Sequence, residues 1–228
     1  LKGCDILLPF PSVGATENIM LAAVKAKGKT IINNAAREPE INDLARFLNG
    51  CGAKIHIDPI TGKITVYGVE KLFGCEHTVI PDRIAAATYL SAVGACGGRV
   101  KINNARPDHL ISVLSFFKRA GCGIKTDRSS VEIEVRKRPV GFGRICTGVY
   151  PAFPTDAQPA LMAMSTVCDG QTVFEENIFE NRFTQSEALK KMGADIEVDR
   201  NIAVVRGRAG LTGADVEAAD LRGGAALV

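Results

Sequence analysis

Apolar and polar positions along the chain fall into a repeating order. Three stretches share it: "GKTIINNAAREPEINDLARFLNGCGAKIHID" (28–58), "GGRVKINNARPDHLISVLSFFKRAGCGIKTD" (97–127) and "GQTVFEENIFENRFTQSEALKKMGADIEVD" (170–199). Each runs from a Gly through a β-rich segment, an Asn-containing turn and an amphipathic helix to a second Gly and another β-rich segment. Spacing of 3.6 residues puts Ile41, Leu44, Ala45 and Leu48 on one helix face, and Leu110, Val113, Leu114 and Phe117 on the next. In the third helix, Thr184 and Glu187 read as a capping box ahead of buried Ala188, Leu189 and Met192. The Gly that follows each helix (Gly52, Gly121, Gly193) suits a left-handed C-terminal cap.

A second kind of helix precedes each β-rich segment, over 15–27, 82–96 and 156–168, with a fourth start at 220. Further strands follow, such as "KITVYGV" and "IAVVRGR". The unit is βαβαββ with a period of about 64–74 residues, too long for a solenoid and suited to a pseudo-symmetric α/β domain. The break near "HTVIPDR" (77–83) is the expected boundary between two domains.

Composition narrows the class. The 228 residues are 46% hydrophobic and 23% charged, as in a globular protein, and allow one large domain or two small ones. A net charge of +3 without a basic block argues against nucleic acid but suits a small anionic substrate. Seven Cys with no CxxC pair and no His at ligand spacing read as reduced cytosolic thiols, with Cys51, Cys96 and Cys168 packed as small hydrophobes, and not as disulfides or a zinc site. No signal peptide opens the chain and no 18-residue apolar run occurs, so no membrane association is expected. It begins in a strand-like run, "LKGCDILLPF", and stops inside a helix-like one, "DLRGGAALV", which reads as a piece of a longer protein.

Candidate chemistry concentrates where the first helices start: "PSVGAT" (11–16), "IPDRIA" (80–85), "FPTDAQ" (153–158) and "AADLRG" (218–223). Helix N-termini carry unpaired N–H groups and favour anions, so a cleft that gathered these ends would suit a polyanionic ligand. Asp82–Arg83 and Asp220–Leu221–Arg222 place a forked donor beside an acid. The plain alternative is that the acids cap helices while the arginines sit in salt bridges. Asp156 has the same two readings. Thr155 and Gln158 form a T-x-x-Q capping box that makes Asp156 a first-turn acid, and the same carboxylate is a candidate acid–base group. "SVGATENIM" suits close backbone approach to a phosphate but is no Walker A motif; "REPEIND" (37–43) reads as a solvated helix start, and the three His show no partner pattern.

Together, "SVGATENIM" (12–20), "NAAREPEINDLARFL" (34–48), "GVEKLFG" (68–74), "IPDRI" (80–84), "FPTDAQ" (153–158), "FENRF" (179–183), "KMGADI" (191–196) and "DLRGGAALV" (220–228) span the chain. In this order they resemble the enolpyruvyl transferase family, in its UDP-N-acetylglucosamine 1-carboxyvinyltransferase branch. The resemblance implies an inside-out α/β barrel built from βαβαββ repeats, about three of six being present. Residues 1–79 would then be the last unit of one domain, and residues 80–228 two units and the start of a third in the other. It implies transfer of the enolpyruvyl group of phosphoenolpyruvate to UDP-N-acetylglucosamine in the cytoplasm, with no metal or organic cofactor, and an inactive fragment. Asp156 is similar to the carboxylate that contacts the sugar hydroxyl as candidate base. Ser12, Val13, Gly14 and Ile178 resemble contacts to the nucleotide sugar, Arg222 an arginine holding phosphoenolpyruvate, and Arg182 an organiser behind them.

The resemblance has departures. Phe10 stands where relatives carry Lys, Ala85 replaces an acid and Gln185 a His. None of the seven cysteines lies in the context of the family's catalytic cysteine, which belongs upstream together with a Lys–Asn pair. Two alternatives stand beside this reading: a shikimate-type enolpyruvyl transferase, and a non-catalytic nucleotide-sugar-binding paralogue.

Overall fold

The computed structural model describes residues 1–228. The chain forms two compact units: Leu1–Ile80 with Val149–Pro151, and Pro81–Gly148 with Ala152–Val228.

In the first unit, β1 (Asp5–Leu7) leads through α1 (Val13–Ala23) to β2 (Lys29–Asn33), and α2 (Pro39–Gly50) connects to the hairpin β3 (Lys54–Ile57) and β4 (Ile64–Tyr67). The sheet order is β1-β2-β4-β3, with β1 parallel to β2 and the other pairs antiparallel. A parallel pair needs a crossover, and α1 supplies it. The periodic α2 face of Ile41, Ala45 and Leu48 joins Ile32, Ile64 and Val66 in one core, with Leu44 at its margin. Asp43, expected in a solvated helix start, is buried instead. It accepts from the Ile80 amide at 3.4 Å and lies 3.2 Å from His77 Nε2, because the segment before the second unit folds back over α2.

The second unit opens with α3 (Arg83–Cys96), β5 (Gly98–Asn103), α4 (Ile111–Arg119), β6 (Gly123–Thr126) and β7 (Ser130–Val135), forming the sheet β5-β7-β6. It continues with β8 (Gly143–Cys146), α5 (Gln158–Ser165), β9 (Gln171–Glu175), α6 (Gln185–Lys191), β10 (Asp195–Asp199), β11 (Ile202–Arg206) and α7 (Leu221–Leu227). The second sheet has the order β10-β11-β9-β8, the same path as in the first unit. The middle repeat lacks the expected leading strand. Backbone ahead of α3 is engaged with α2 instead, as where Phe73 donates to the Cys51 carbonyl at 2.8 Å.

Two kinds of helix fill two kinds of place. α4 is amphipathic and buries Val113, Leu114 and Phe117, whereas α5 is apolar on nearly every side and buries seven of its eight residues. A helix apolar all round belongs in the interior, and α5 packs between α3 and α7 while β5 turns a mostly exposed surface outward. Helices inside and sheets outside is the inside-out α/β arrangement, formed here by separate sheets.

Local backbone chemistry follows the repeat. Gly52, Gly121 and Gly193 end their helices at φ 94°, 87° and 94°, a conformation costly to residues with a Cβ. Gly68 and Gly207 donate to Gly28 and Gly170, and a Cβ on either would collide with the carbonyl of Ala26 or Cys168. All seven cysteines are free; Cys51, Cys122 and Cys168 are buried, while Cys96, at the open end of α3, is exposed rather than packed. Burial pushes the Cys122 and Cys168 thiols up to about 11 and about 12.

Candidate active site

Three of the four helix starts use their polar side chain as a cap. Ser12 Oγ accepts from the Ala15 amide at 3.2 Å at the head of α1. Asp82 Oδ1 accepts from Ile84 and Ala85 at 2.7 and 3.1 Å at α3. Asp220 Oδ1 accepts from Arg222 and Gly223 at 2.9 and 2.8 Å at α7. Each satisfies amides that the first helical turn leaves unpaired.

The fourth start differs. A 3₁₀ turn, Thr155–Ala157, leads into α5, and no side chain caps it. The expected Thr155–Gln158 capping box is absent: Thr155 Oγ1 donates to Glu176 Oε2 at 2.9 Å, and buried Gln158 accepts from Gln185 Nε2 at 3.3 Å. The Thr184–Glu187 box is absent too. Thr184 Oγ1 donates to Asp220 Oδ2 at 2.6 Å, and Glu187 pairs with Lys190. In both places a carboxylate from another element offers the threonine a charge-assisted bond, stronger than a neutral hydrogen bond.

With no cap to form, Asp156 turns to two arginines. Its Oδ1 lies 2.6 Å from Arg182 Nη2 and its Oδ2 3.5 Å from Arg222 Nη2. Its side chain stays 40% exposed and that of Arg182 19%. Arg182 also lies over the Phe179 ring, 5.5 Å from its centroid. Asp220 stands close by, its carboxyl held below the usual range first by the Gly223 amide and then by the Thr184 hydroxyl. The turn before α5, the loop between β9 and α6, and the head of α7 therefore bring two carboxylates and two guanidinium groups into one partly open cluster. Such a cluster can accept a proton and hold an anion.

Ile178 sits on the same loop, half-buried, and its amide donates to Glu176 Oε1 at 2.9 Å. Glu176 is a residue the sequence reading missed. It is 3% exposed and also accepts from the Phe179 amide at 3.1 Å. Its signal was legible: counting from the anchoring Gly28, Gly98 and Gly170, it takes the place of Asn34 and Asn104. Gln185, read as a departure, is buried beside Gln158 in the second unit.

Ser12, Val13 and Gly14 belong to the first unit. Thr16 fixes this start, donating to the Ser12 carbonyl at 2.8 Å and accepting from the Ala36 amide at 3.0 Å. Gly14 is exposed, and apart from its own helix and chain neighbours nothing lies within 4 Å of where a Cβ would stand. Phe10 is exposed nearby in sequence. In the second unit, Asp82, Arg83, Ala85, Tyr89, Asn104 and Arg106 line a pocket of about 280 Å³. No group of three or more His, Cys, Asp or Glu converges as a metal site, and no helix is long and apolar enough to cross a membrane.

This architecture is that of an enolpyruvyl transferase. The chain belongs to the EPSP synthase (3-phosphoshikimate 1-carboxyvinyltransferase) family, which it matches across residues 1–228. Within it, the chain is 48% identical over 228 residues to UDP-N-acetylglucosamine 1-carboxyvinyltransferase 2 of Caldanaerobacter subterraneus subsp. tengcongensis, and 47% identical over 230 residues to UDP-N-acetylglucosamine 1-carboxyvinyltransferase of Finegoldia magna. All of this chain is covered, and it spans 54% of the length of each relative. The crystal structure of the enolpyruvyl transferase NikO from Streptomyces tendae superposes with a TM-score of 0.88 at 22% identity, covering 100% of this chain and 57% of that one.

Proposed function

We propose that this chain forms about half of a cytoplasmic enzyme that transfers the enolpyruvyl group of phosphoenolpyruvate to the 3-hydroxyl of UDP-N-acetylglucosamine, the first committed step of peptidoglycan synthesis. On this reading residues 1–79 are the last repeat of one domain, and residues 80–228 are two repeats and the start of a third of the other. The observation that carries it is Asp156, a helix-start acid that caps nothing and faces two arginines. The relatives at 47% and 48% identity bear the name of that reaction. Seven free thiols suit a reducing compartment.

In this mechanism the sugar hydroxyl adds to C2 of phosphoenolpyruvate while C3 gains a proton. Loss of a C3 proton with departure of phosphate then leaves the enolpyruvyl ether. Asp156 accepts the hydroxyl proton. Arg222 holds the phosphoenolpyruvate anion, to which a guanidinium offers two parallel donors, and Arg182 keeps the Asp156 carboxylate in place. Ser12, Val13 and Gly14 hold the uridine diphosphate, where an exposed helix start without a Cβ at Gly14 allows close approach. Because the Ile178 amide is taken by Glu176, a main-chain contact from Ile178 to the sugar nucleotide falls to its carbonyl. A shikimate-type transferase is the second reading, favoured by the family description alone.

The test is phosphate release by the full-length protein from phosphoenolpyruvate with UDP-N-acetylglucosamine or with shikimate 3-phosphate. Turnover with the nucleotide sugar is expected. Preference for shikimate 3-phosphate overturns the reading, and turnover by residues 1–228 alone overturns the view that these residues need the rest of the enzyme.

A further inference from the structure

We propose that Glu176 is a positioning residue for this transfer, a buried carboxylate that ties the turn carrying Asp156 to the loop carrying Ile178 and Arg182. The proposal rests on the functional reading above for its kinetic part and on geometry alone for its structural part.

Glu176 reaches both arms of the site. Oε2 accepts from Thr155 Oγ1 at 2.9 Å, and Thr155 is the residue before Asp156. Oε1 accepts from the amides of Ile178 and Phe179 at 2.9 and 3.1 Å, and the Phe179 ring lies under the Arg182 guanidinium. The Asp156–Arg182 ion pair is thus held at both ends through one side chain. Its own backbone is fixed as well: the amide donates to the Asn201 carbonyl at 2.8 Å, and the carbonyl accepts from Asn201 Nδ2 at 3.2 Å.

A carboxylate that is 3% exposed is expensive to desolvate, and no cation is paired with it to offset the cost. The fold does not demand it. At the same place in the other repeats stand Asn34 and Asn104, both in the left-handed region at φ 54° and 51°. Asn34 ties its loop to the segment before α1 with one bond, Nδ2 donating to the Leu8 carbonyl at 2.9 Å. An amide therefore suffices to close this loop. What Glu176 adds is reach and two acceptor oxygens, one for each arm, and it adds them only in the repeat that carries Asp156.

The experiment uses the full-length protein with T155V, T155S, E176A and E176Q. T155V cuts only the arm to Asp156, so kcat falls about ten-fold with KM for UDP-N-acetylglucosamine unchanged, and T155S recovers it. E176A cuts both arms, lowering kcat about 100-fold and raising that KM about ten-fold. E176Q keeps an acceptor for the two amides and recovers at least ten-fold of the E176A loss. Losses that only track the folded fraction, or wild-type kinetics in E176A, overturn the proposal. A crystal structure of T155V separates this from the functional reading: Asp156 displaced from Arg182 supports positioning whatever the substrate, and unchanged geometry sinks it. A wild-type protein silent on both substrates, with Asp156 displaced in T155V, overturns the functional reading alone.

Discussion

Asp82 and Asp156 occupy equivalent starts of equivalent helices, yet one carboxylate is used by its helix and the other is not. The difference lies in the residues around them. Asp82 opens "DRIAA", where every following residue has an amide to satisfy, and its Oδ1 takes two of them. Asp156 lies in "PTDAQP", where a 3₁₀ turn absorbs the first amides and Pro159 has none to offer. A start that needs no cap leaves its acid available, and Arg182 and Arg222 receive it. Prolines placed around the acid thus do the local folding work that would otherwise consume the carboxylate.

The largest expected effect tests the free acid. In the full-length protein, D156N lowers turnover about 1,000-fold, within the range for removal of an acid–base group, while the urea midpoint barely moves. A midpoint that falls with activity nearly intact would return Asp156 to a structural role. The converse holds at Asp82: D82A costs about 1 kcal/mol through the lost cap, read as a lower urea midpoint, with turnover within about two-fold of wild type. A stability unchanged by D82A would break the comparison from the other side.

The elements that sequence alone disclosed are those set by nearby residues. Ile41, Ala45 and Leu48 repeat at helical spacing and pack inward together; Gly52, Gly121 and Gly193 end helices as a residue free of a Cβ can. The caps at Ser12, Asp82 and Asp220 need only the next three residues. The misreadings arose where a distant residue competed. Thr155 and Thr184 look like caps until Glu176 and Asp220 offer charged acceptors 21 and 36 positions away. Asp43 looks solvated until His77 and Ile80 fold back over it. Asp156 was legible as a helix-start acid, but its arginine partners, 26 positions away at Arg182 and further still at Arg222, belong to the tertiary fold.

Asp220 sharpens the comparison because it does both jobs, capping α7 through Oδ1 and accepting from Thr184 through Oδ2. Its carboxyl is held below the ordinary value of 3.8, so the stability it contributes is present above that value and is lost as pH falls through the depressed one. D220N is expected to lower the urea midpoint at pH 7 and to converge on wild type as pH falls through the depressed value. A gap that persists unchanged into acid would show that the effect is steric rather than one of charge.

The smallest effect, with the opposite sign, comes from Glu17, a carboxylate on α1 with neither a cap to make nor an arginine to meet. Burial first, then Glu40 and Glu38, raise its carboxyl above the ordinary 4.5. A raised acid favours the protonated folded state, so the stability it lends is present below that value and disappears as pH rises through the raised one. At neutral pH the charge is a cost, and E17Q should relieve a few tenths of a kcal/mol, the scale of one like-charge pair on a helix surface. The urea midpoint of E17Q should therefore exceed that of wild type at pH 7 and match it near pH 4. Equal gains at both pH values would point to packing rather than to the burial and repulsion of a charged carboxylate. Asp82 would then remain the case of an acid used by its own helix, Asp156 of one turned to arginines, and Glu17 would drop out as an electrostatic control.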